Sequence, residues 1–399
     1  MNVNSFLRKS GIKTAFSKSY IWFTIAFIVW YYRIGYMPQS GATTLIQVST
    51  LAFMFLFAHK HCRGNLISKV IGRNNSPITT LVLLYLYAAI SLLWAYQPFL
   101  SGFLSIQNIL IICILYWYFS RCRTFDGAEQ CFLNFFIIFN VIDCILARIY
   151  NHTFLFYHHL PASSVAAMCT SYCFGELMNS KRDLKRKRYL KLCALISIII
   201  LLLSTSSGGN AAALAGIAFG CFLSGKILIC LFIGIGAWVI LSNPDLMDSF
   251  ILFIMPGKTM EMVETGTGRT IFWEYELFYA SQKPFFGWGF GCIERVVTGM
   301  TNEFNYPDAH SNYVGFYGSL GVFGCVLAGI HFMCCLLYGL SHRYKKGFVG
   351  LSSAIVCAIV NGYSYGFLSG KACSTTVMYF AVVILMFIYA RLSKRRQNG

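Results

Sequence analysis

Charge is scarce in this chain. Only 12% of its 399 residues are Asp, Glu, Lys or Arg, against about 25% in an ordinary soluble domain. Acid is scarcer still, with 14 Asp and Glu against 32 Lys and Arg. The spacings that gather cysteine and histidine around metals or into disulfides are also missing. The 16 cysteines include no CxxC pair, and most stand singly inside apolar runs, as Cys113, Cys144, Cys221, Cys230 and Cys334 do. A thiol in such a place acts as a small hydrophobe. No HExxH occurs, and His158 and His159 are adjacent rather than spaced to share an ion. These absences argue against a soluble globular domain, a disulfide scaffold and a zinc enzyme, and no metal or cofactor is expected.

What fills the chain instead is apolar, at 57% of residues. Runs long enough to cross about 30 Å of hydrocarbon, which takes about 20 helical residues, recur along nearly its whole length. We read twelve, at 19–36, 42–58, 77–96, 101–119, 131–147, 160–178, 189–205, 209–224, 226–242, 312–340, 347–366 and 372–391. Unpaired backbone groups are too costly in lipid for any open structure, so each run should be helical. The runs are also too continuous for barrel strands, which alternate over about ten residues. The expectation is an all-α polytopic membrane protein of about 12 transmembrane helices.

The basic residues orient that bundle, because cytoplasmic connections retain Lys and Arg. Arg8, Lys9, Lys13 and Lys18 precede the first run, and Lys60, Arg63, Lys69 and Arg73 follow the second. Arg121 and Arg123 follow the fourth, SKRDLKRKRYLK (180–191) the sixth, Lys226 the eighth, SHRYKKG (341–347) the tenth and RLSKRRQNG the last. Both termini are therefore expected in the cytoplasm, with the first run a retained span. The net charge of +18 is then mostly topology, suited to anionic lipid, and no nucleic-acid motif gives it another meaning.

Nine of the 14 acidic residues fall between 243 and 311. The alternation makes 243–311 one extracytoplasmic connection, far longer than the usual median of about 4–6 residues. Its aromatic-rich part, GRTIFWEYELFYASQKPFFGWGFG (268–291), predicts a helix over 270–281 and then a turn at Pro284, Gly287, Gly289 and Gly291. A surface helix held on the membrane by its Trp and Phe is the simpler reading.

Four polar elements share the extracytoplasmic side. They are Arg148 after the fifth run, the STSSGGN turn (204–210) with Ser206, Ser207, Gly208 and Gly209, Arg269, and the pair Asp308 and His310. An arginine offers phosphate a planar fork of donors, and a histidine titrates near physiological pH. The set suits a phosphate-bearing substrate. Interfacial anchoring for Arg148, helix capping for Arg269 and a solvated loop position for His310 are the plainer alternatives.

The stretch 268–291 followed by DAHSNYVGFYGSLGVFG (308–324) resembles the signature region of bacterial O-antigen ligases and O-antigen polymerases. The ligase pattern H-[NSQ]-x9-G-x-x-[GTY] is met by His310, Ser311, Gly321 and Gly324. The likeness covers roughly 190–340, and it divides the chain into a transmembrane part, 1–206, and a ligase-like part, 207–399. One departure stands out, since the S-R-G-type motif common in that family is here STSSGGN, with no arginine.

The resemblance implies a GT-C-like, metal-independent glycosyltransferase of the bacterial inner membrane. It would move a glycan from undecaprenyl diphosphate onto an acceptor sugar hydroxyl at the periplasmic face, in O-antigen or surface polysaccharide assembly. On that reading His310 is the base, Asp308 orients it, and Arg269 stabilises the departing diphosphate. Arg148 and the 206–209 turn would bind substrate. Polymerase is slightly favoured over a ligase acting on lipid A-core, and polysaccharide-assembly proteins are expected partners. A lipid-linked sugar flippase is the non-enzyme alternative; it should scatter charges through its helices, where only Asp143 and Glu176 are acidic within the runs.

Overall fold

The computed structural model describes residues 18–36, 41–62, 65–71, 76–122, 124–149, 159–179, 182–204, 206–254, 269–301 and 310–397. Among the described residues there are sixteen α-helices and no strand. The helices are α1 (Lys18–Tyr36), α2 (Gly41–Lys60), α3 (Leu66–Ile71), α4 (Ser76–Ile90), α5 (Pro98–Ser120), α6 (Phe125–Ile149), α7 (His159–Met178) and α8 (Leu184–Leu203). They continue as α9 (Ser207–Leu223), α10 (Ile227–Ser242), α11 (Pro244–Ile254), α12 (Arg269–Ser281), α13 (Ile293–Thr301), α14 (Asn312–Ser341), α15 (Phe348–Asn361) and α16 (Ser374–Gln397). Each of the twelve apolar runs carries a helix, and α11, α12 and α13 lie in the long connection.

Among the described residues four stretches are long and apolar enough to cross a membrane by length and composition: Pro98–Ser120, Phe125–Ile142, Asn312–Ser341 and Ser374–Arg391. Shorter apolar helices cover Trp22–Tyr31, Thr44–Lys60, Pro77–Leu93, Ser207–Leu223 and Phe348–Asn361. By its apolar helices the chain is a multi-pass membrane protein.

The centre of the bundle is α16, whose residues from Val377 to Leu385 are all fully buried. Against it lie α7 and α15, and α9 packs on those two; these three helices approach one another closely because small residues line their contacts. A Cβ on Gly175 would stand 2.6 Å from Ser353 Oγ and 3.0 Å from Gly350 Cα, and one on Gly216 would stand 2.4 Å from Ser171 Oγ. Lipid supplies no hydrophobic drive between helices, so such van der Waals contact between small residues is what holds them.

The helix that shapes the site is α14, which is broken. Gly321 sits at φ 66°, ψ −164°, a region open essentially to glycine alone. The turn after α12 fills the break. Val322 N donates to Pro284 O at 2.8 Å and Phe323 N to Phe285 O at 3.4 Å, while Gly318 O accepts from Trp288 N at 3.0 Å and Ser319 O from Gly289 N at 2.8 Å. The backbone groups freed by the break are thus satisfied by protein, as lipid demands. Gly287, Gly289 and Gly291 supply the positive φ values of that turn.

Contacts with α15 fix how far α14 bends. A Cβ on Gly339 would lie 2.1 Å from Ser352 Oγ, and Asn312 N donates to Gly362 O at 2.7 Å. A straight helix from Gly339 would end about 40 Å away at Asn312, whereas the path through α15 spans at most about 30 Å. The two halves therefore meet at about a right angle or less. The lower half, 322–341, has the length of a full membrane crossing at about 1.5 Å per residue. The upper half, 312–320, does not rise above the break but runs across or back into the bundle. Sequence reading expected one continuous span over 312–340.

Candidate functional site

Ser206 starts α9. Its backbone is extended and its Oγ accepts from Gly209 N at 3.4 Å, which satisfies one of the donors a helix start leaves open. The next residues are glycine for lack of room. A Cβ on Gly208 would lie 2.0 Å from Ser364 Oγ, and one on Gly209 would lie 1.9 Å from Ser163 Oγ. The amino end of α9 is thereby pressed against α7 and against the connection from α15 to α16.

Arg269, the first residue of α12, reaches the same connection and donates from Nη1 to Ser364 O at 3.1 Å. One turn on, the Trp273 ring meets Tyr363 edge to face at 5.4 Å, so α12 is held down beside the guanidinium. Ser364 thus touches both Arg269 and Gly208, two elements 61 positions apart in sequence.

The third contributor is the amino end of α14. Asn312 Oδ1 accepts from Phe367 N at 2.8 Å and Leu368 N at 2.7 Å, and Asn361 Nδ2 donates to Ser164 Oγ at 2.6 Å. These bonds tie the 361–368 stretch to α7 and α14. His310 lies two residues before Asn312 in the left-handed region, at φ 50°, with its ring partly buried and Nδ1 shielded from solvent. The amino ends of α9, α12 and α14 therefore meet around one polar connection, each with the partial positive charge of a helix start. Together with Arg269 they form an arrangement suited to an anion.

Of the residues picked from sequence, Gly208 and Arg269 meet at Ser364, Ser206, Ser207 and Gly209 flank Gly208 in the same turn, and His310 precedes Ser311 and Asn312, the latter bonded to the neighbouring Gly362. Asp308 lies outside the described residues. Arg148 belongs to the last turn of α6, but its side chain is also outside them.

Asn312, Asn361 and Ser364 were missed. The expected span over 347–366 took the last two for membrane interior, whereas α15 ends at Asn361. Glu276 was missed too, as a fully buried carboxylate on the inner stripe of α12 with Phe272 and Ala280. Among the described residues no three His, Cys, Asp or Glu side chains gather as a metal site would need.

A second charged cluster closes the opposite end of the bundle. Fully buried Glu129 and Glu176 share Arg182, with Arg182 Nε donating to Glu176 Oε2 at 2.7 Å and Nη2 to Glu129 Oε1 at 2.5 Å. Arg186 also pairs with Glu129. Tyr172 donates to Glu129 at 2.6 Å, and Gly350 N donates to Glu176 at 2.9 Å. Burial opposes the Arg182 charge, but the Glu176 and Glu129 carboxylates outweigh it and raise the pKa above the ordinary arginine value. The cluster ties α6, α7, α8 and α15 together. No protein-family model matches the chain, and no curated protein matches it.

Proposed function

We propose that the chain is a membrane glycosyltransferase taking a glycan from a lipid diphosphate, undecaprenyl diphosphate by the family likeness, and joining it to an acceptor sugar hydroxyl. The observation that carries this reading is Arg269 seated on Ser364 O, beside the glycine-bearing start of α9. A fixed guanidinium and three helix amino ends suit the two phosphates of such a donor. The folded-back half of α14 favours a site reached from the bilayer, where discontinuous helices commonly present their amino ends to anionic groups.

In the reaction the acceptor oxygen forms a bond to the anomeric carbon as the bond from that carbon to the diphosphate oxygen breaks. The acceptor proton passes to His310, aided by Asp308, and the lipid diphosphate leaves with the bonding pair. Negative charge grows on the leaving oxygen, and Arg269 lies where a fixed cation lowers that barrier. Ser206, Ser207 and the amides of Gly208 and Gly209 would hold the second phosphate, with Arg148 supplying the charge that an S-R-G-type arginine provides in the related family. The positive-inside pattern puts this face in the periplasm and both termini in the cytoplasm.

The reading favours O-antigen polymerase. In proteoliposomes, lipid-linked single repeat units should be converted into a ladder of longer lipid-linked chains. Transfer only to added lipid A-core would make the protein a ligase. Movement of the donor between leaflets without any new glycosidic bond would overturn the enzyme reading in favour of a flippase. The buried Glu129, Glu176 and Arg182 and the partly buried Arg186 do not favour that reading, because they neutralise one another within a packed cluster.

A further inference from the structure

The turn that fills the break in α14 has a second face, turned outward. Phe285 and Phe286 are 60% and 52% exposed, although their backbones are pinned to Phe323 and to the Trp94 indole, whose Nε1 donates to Phe286 O at 3.0 Å. The rings of Trp94 and Phe323 stand 5.5 Å and 5.3 Å from that of Phe286. Between Trp94 and residues 283–287 lies an open cavity of about 370 Å³. Lys283 forms one wall, its Nζ 4.0 Å from the centre of the Trp288 ring.

The depth of this cavity follows from α14. If 322–341 crosses the hydrocarbon, Gly321 and the turn bonded to it lie at the boundary, level with the lipid phosphates. Exposed Val322, Phe323 and Val326 continue the apolar surface down α14, and exposed Ile90, Leu86 and Leu83 continue it down α4. An amphipathic rim of Trp, Tyr and Lys is what such a boundary selects. The cavity thus has an apolar floor continuous with the acyl region and a cation at phosphate height.

We propose that this cavity binds a phospholipid with an anionic headgroup from the leaflet on the side of the 243–311 connection. The lipid phosphate faces the Lys283 ammonium, and one acyl chain runs over Phe285, Phe286 and Phe323. The site is separate from the Arg269 region and requires no particular catalytic activity.

Native mass spectrometry of the intact, detergent-purified chain tests it with phosphatidylglycerol and phosphatidylcholine of identical acyl chains. The wild type should retain phosphatidylglycerol several-fold better, and Lys283→Gln should lower that retention about fivefold, the scale of one lysine near an anionic surface. Lys283→Arg should keep the preference, which separates lost charge from lost folding. Paired Phe285→Ser and Phe286→Ser substitutions should weaken both lipids, and Arg295→Gln, elsewhere in the same connection, should change neither. Millimolar inorganic phosphate should not displace the lipid, since it lacks the chain. Equal retention of the two lipids by the wild type, undiminished preference in Lys283→Gln, or displacement by inorganic phosphate would each overturn the proposal.

Discussion

Gly321→Ala is the perturbation that the geometry of α14 makes most decisive. A Cβ at 321 would sit 2.3 Å from both the carbonyl carbon and the oxygen of Phe285, backbone atoms that cannot swing aside as a side chain can. The conformation at φ 66°, ψ −164° costs a non-glycine residue about 1–3 kcal/mol, and forcing the extra atom into a filled space adds about 1–3 kcal/mol more. The total is about 2–6 kcal/mol, a substantial part of the 5–15 kcal/mol or so that keeps typical folds intact. At roughly 2 °C per kcal/mol for a large chain, the unfolding midpoint in detergent should fall by about 4–12 °C. Relief by straightening α14 would detach the 284–289 turn and lift Asn312 from Gly362, so transfer should fail as well. Gly329→Ala on the same helix is the control, because its Cβ would meet nothing within 4 Å. If Gly321→Ala melts with Gly329→Ala and the wild type, the break is not needed and the folded-back half-helix is wrong.

Arg182→Met should destabilise the bundle by about 3–5 kcal/mol, the usual result of stranding buried partners, and adding Glu176→Gln should recover part of that loss; an unchanged midpoint in the single variant would refute the cluster. His310→Ala should leave the protein inserted and donor binding little changed while turnover falls by about 10²-fold or more; a collapse of donor binding would make the imidazole a diphosphate ligand instead. Burial pushes the Cys292 thiol up to about 11, so it stays protonated from pH 7 to 9. Because the thiolate is the reactive form, peptide mapping after alkylation at pH 8 should find Cys292 unmodified until the protein is unfolded or the pH nears 11.

The helices were legible because lipid leaves an apolar run no other way to satisfy its backbone. Outside those runs, α12 began within one residue of its expected start, and the three turn glycines fell where the sequence marked them. The break in α14 was hidden among like neighbours. In GSLGVFG, Gly318 makes room for Ile293 and Gly324 for Leu320, and nothing local singles out Gly321 as the one with positive φ. Asn361 and Ser364 were absorbed into an apolar run because their value lies in long-range contacts with Ser164, Gly208 and Arg269. The basic run at 180–191 was read only as a topology signal, a pattern that could not reveal that Arg182 is buried between carboxylates from two helices. Arg269 was picked out as one of four cations, with Lys258, Lys283 and Arg295, in a connection that carries nine acidic residues; its Ser364 partner had to come from the fold.

The most direct test of the account is the rate of glycan transfer from the lipid diphosphate by Arg269→Ala in proteoliposomes, at saturating donor and with folding and insertion verified. If the guanidinium beside Ser364 and Gly208 offsets the charge of the departing diphosphate, the rate should fall by about 10²-fold or more. Arg269→Lys should restore little of it, because an ammonium lacks the two-pronged fork. A well-folded Arg269→Ala protein that transfers glycan within a few-fold of the wild-type rate would contradict the account.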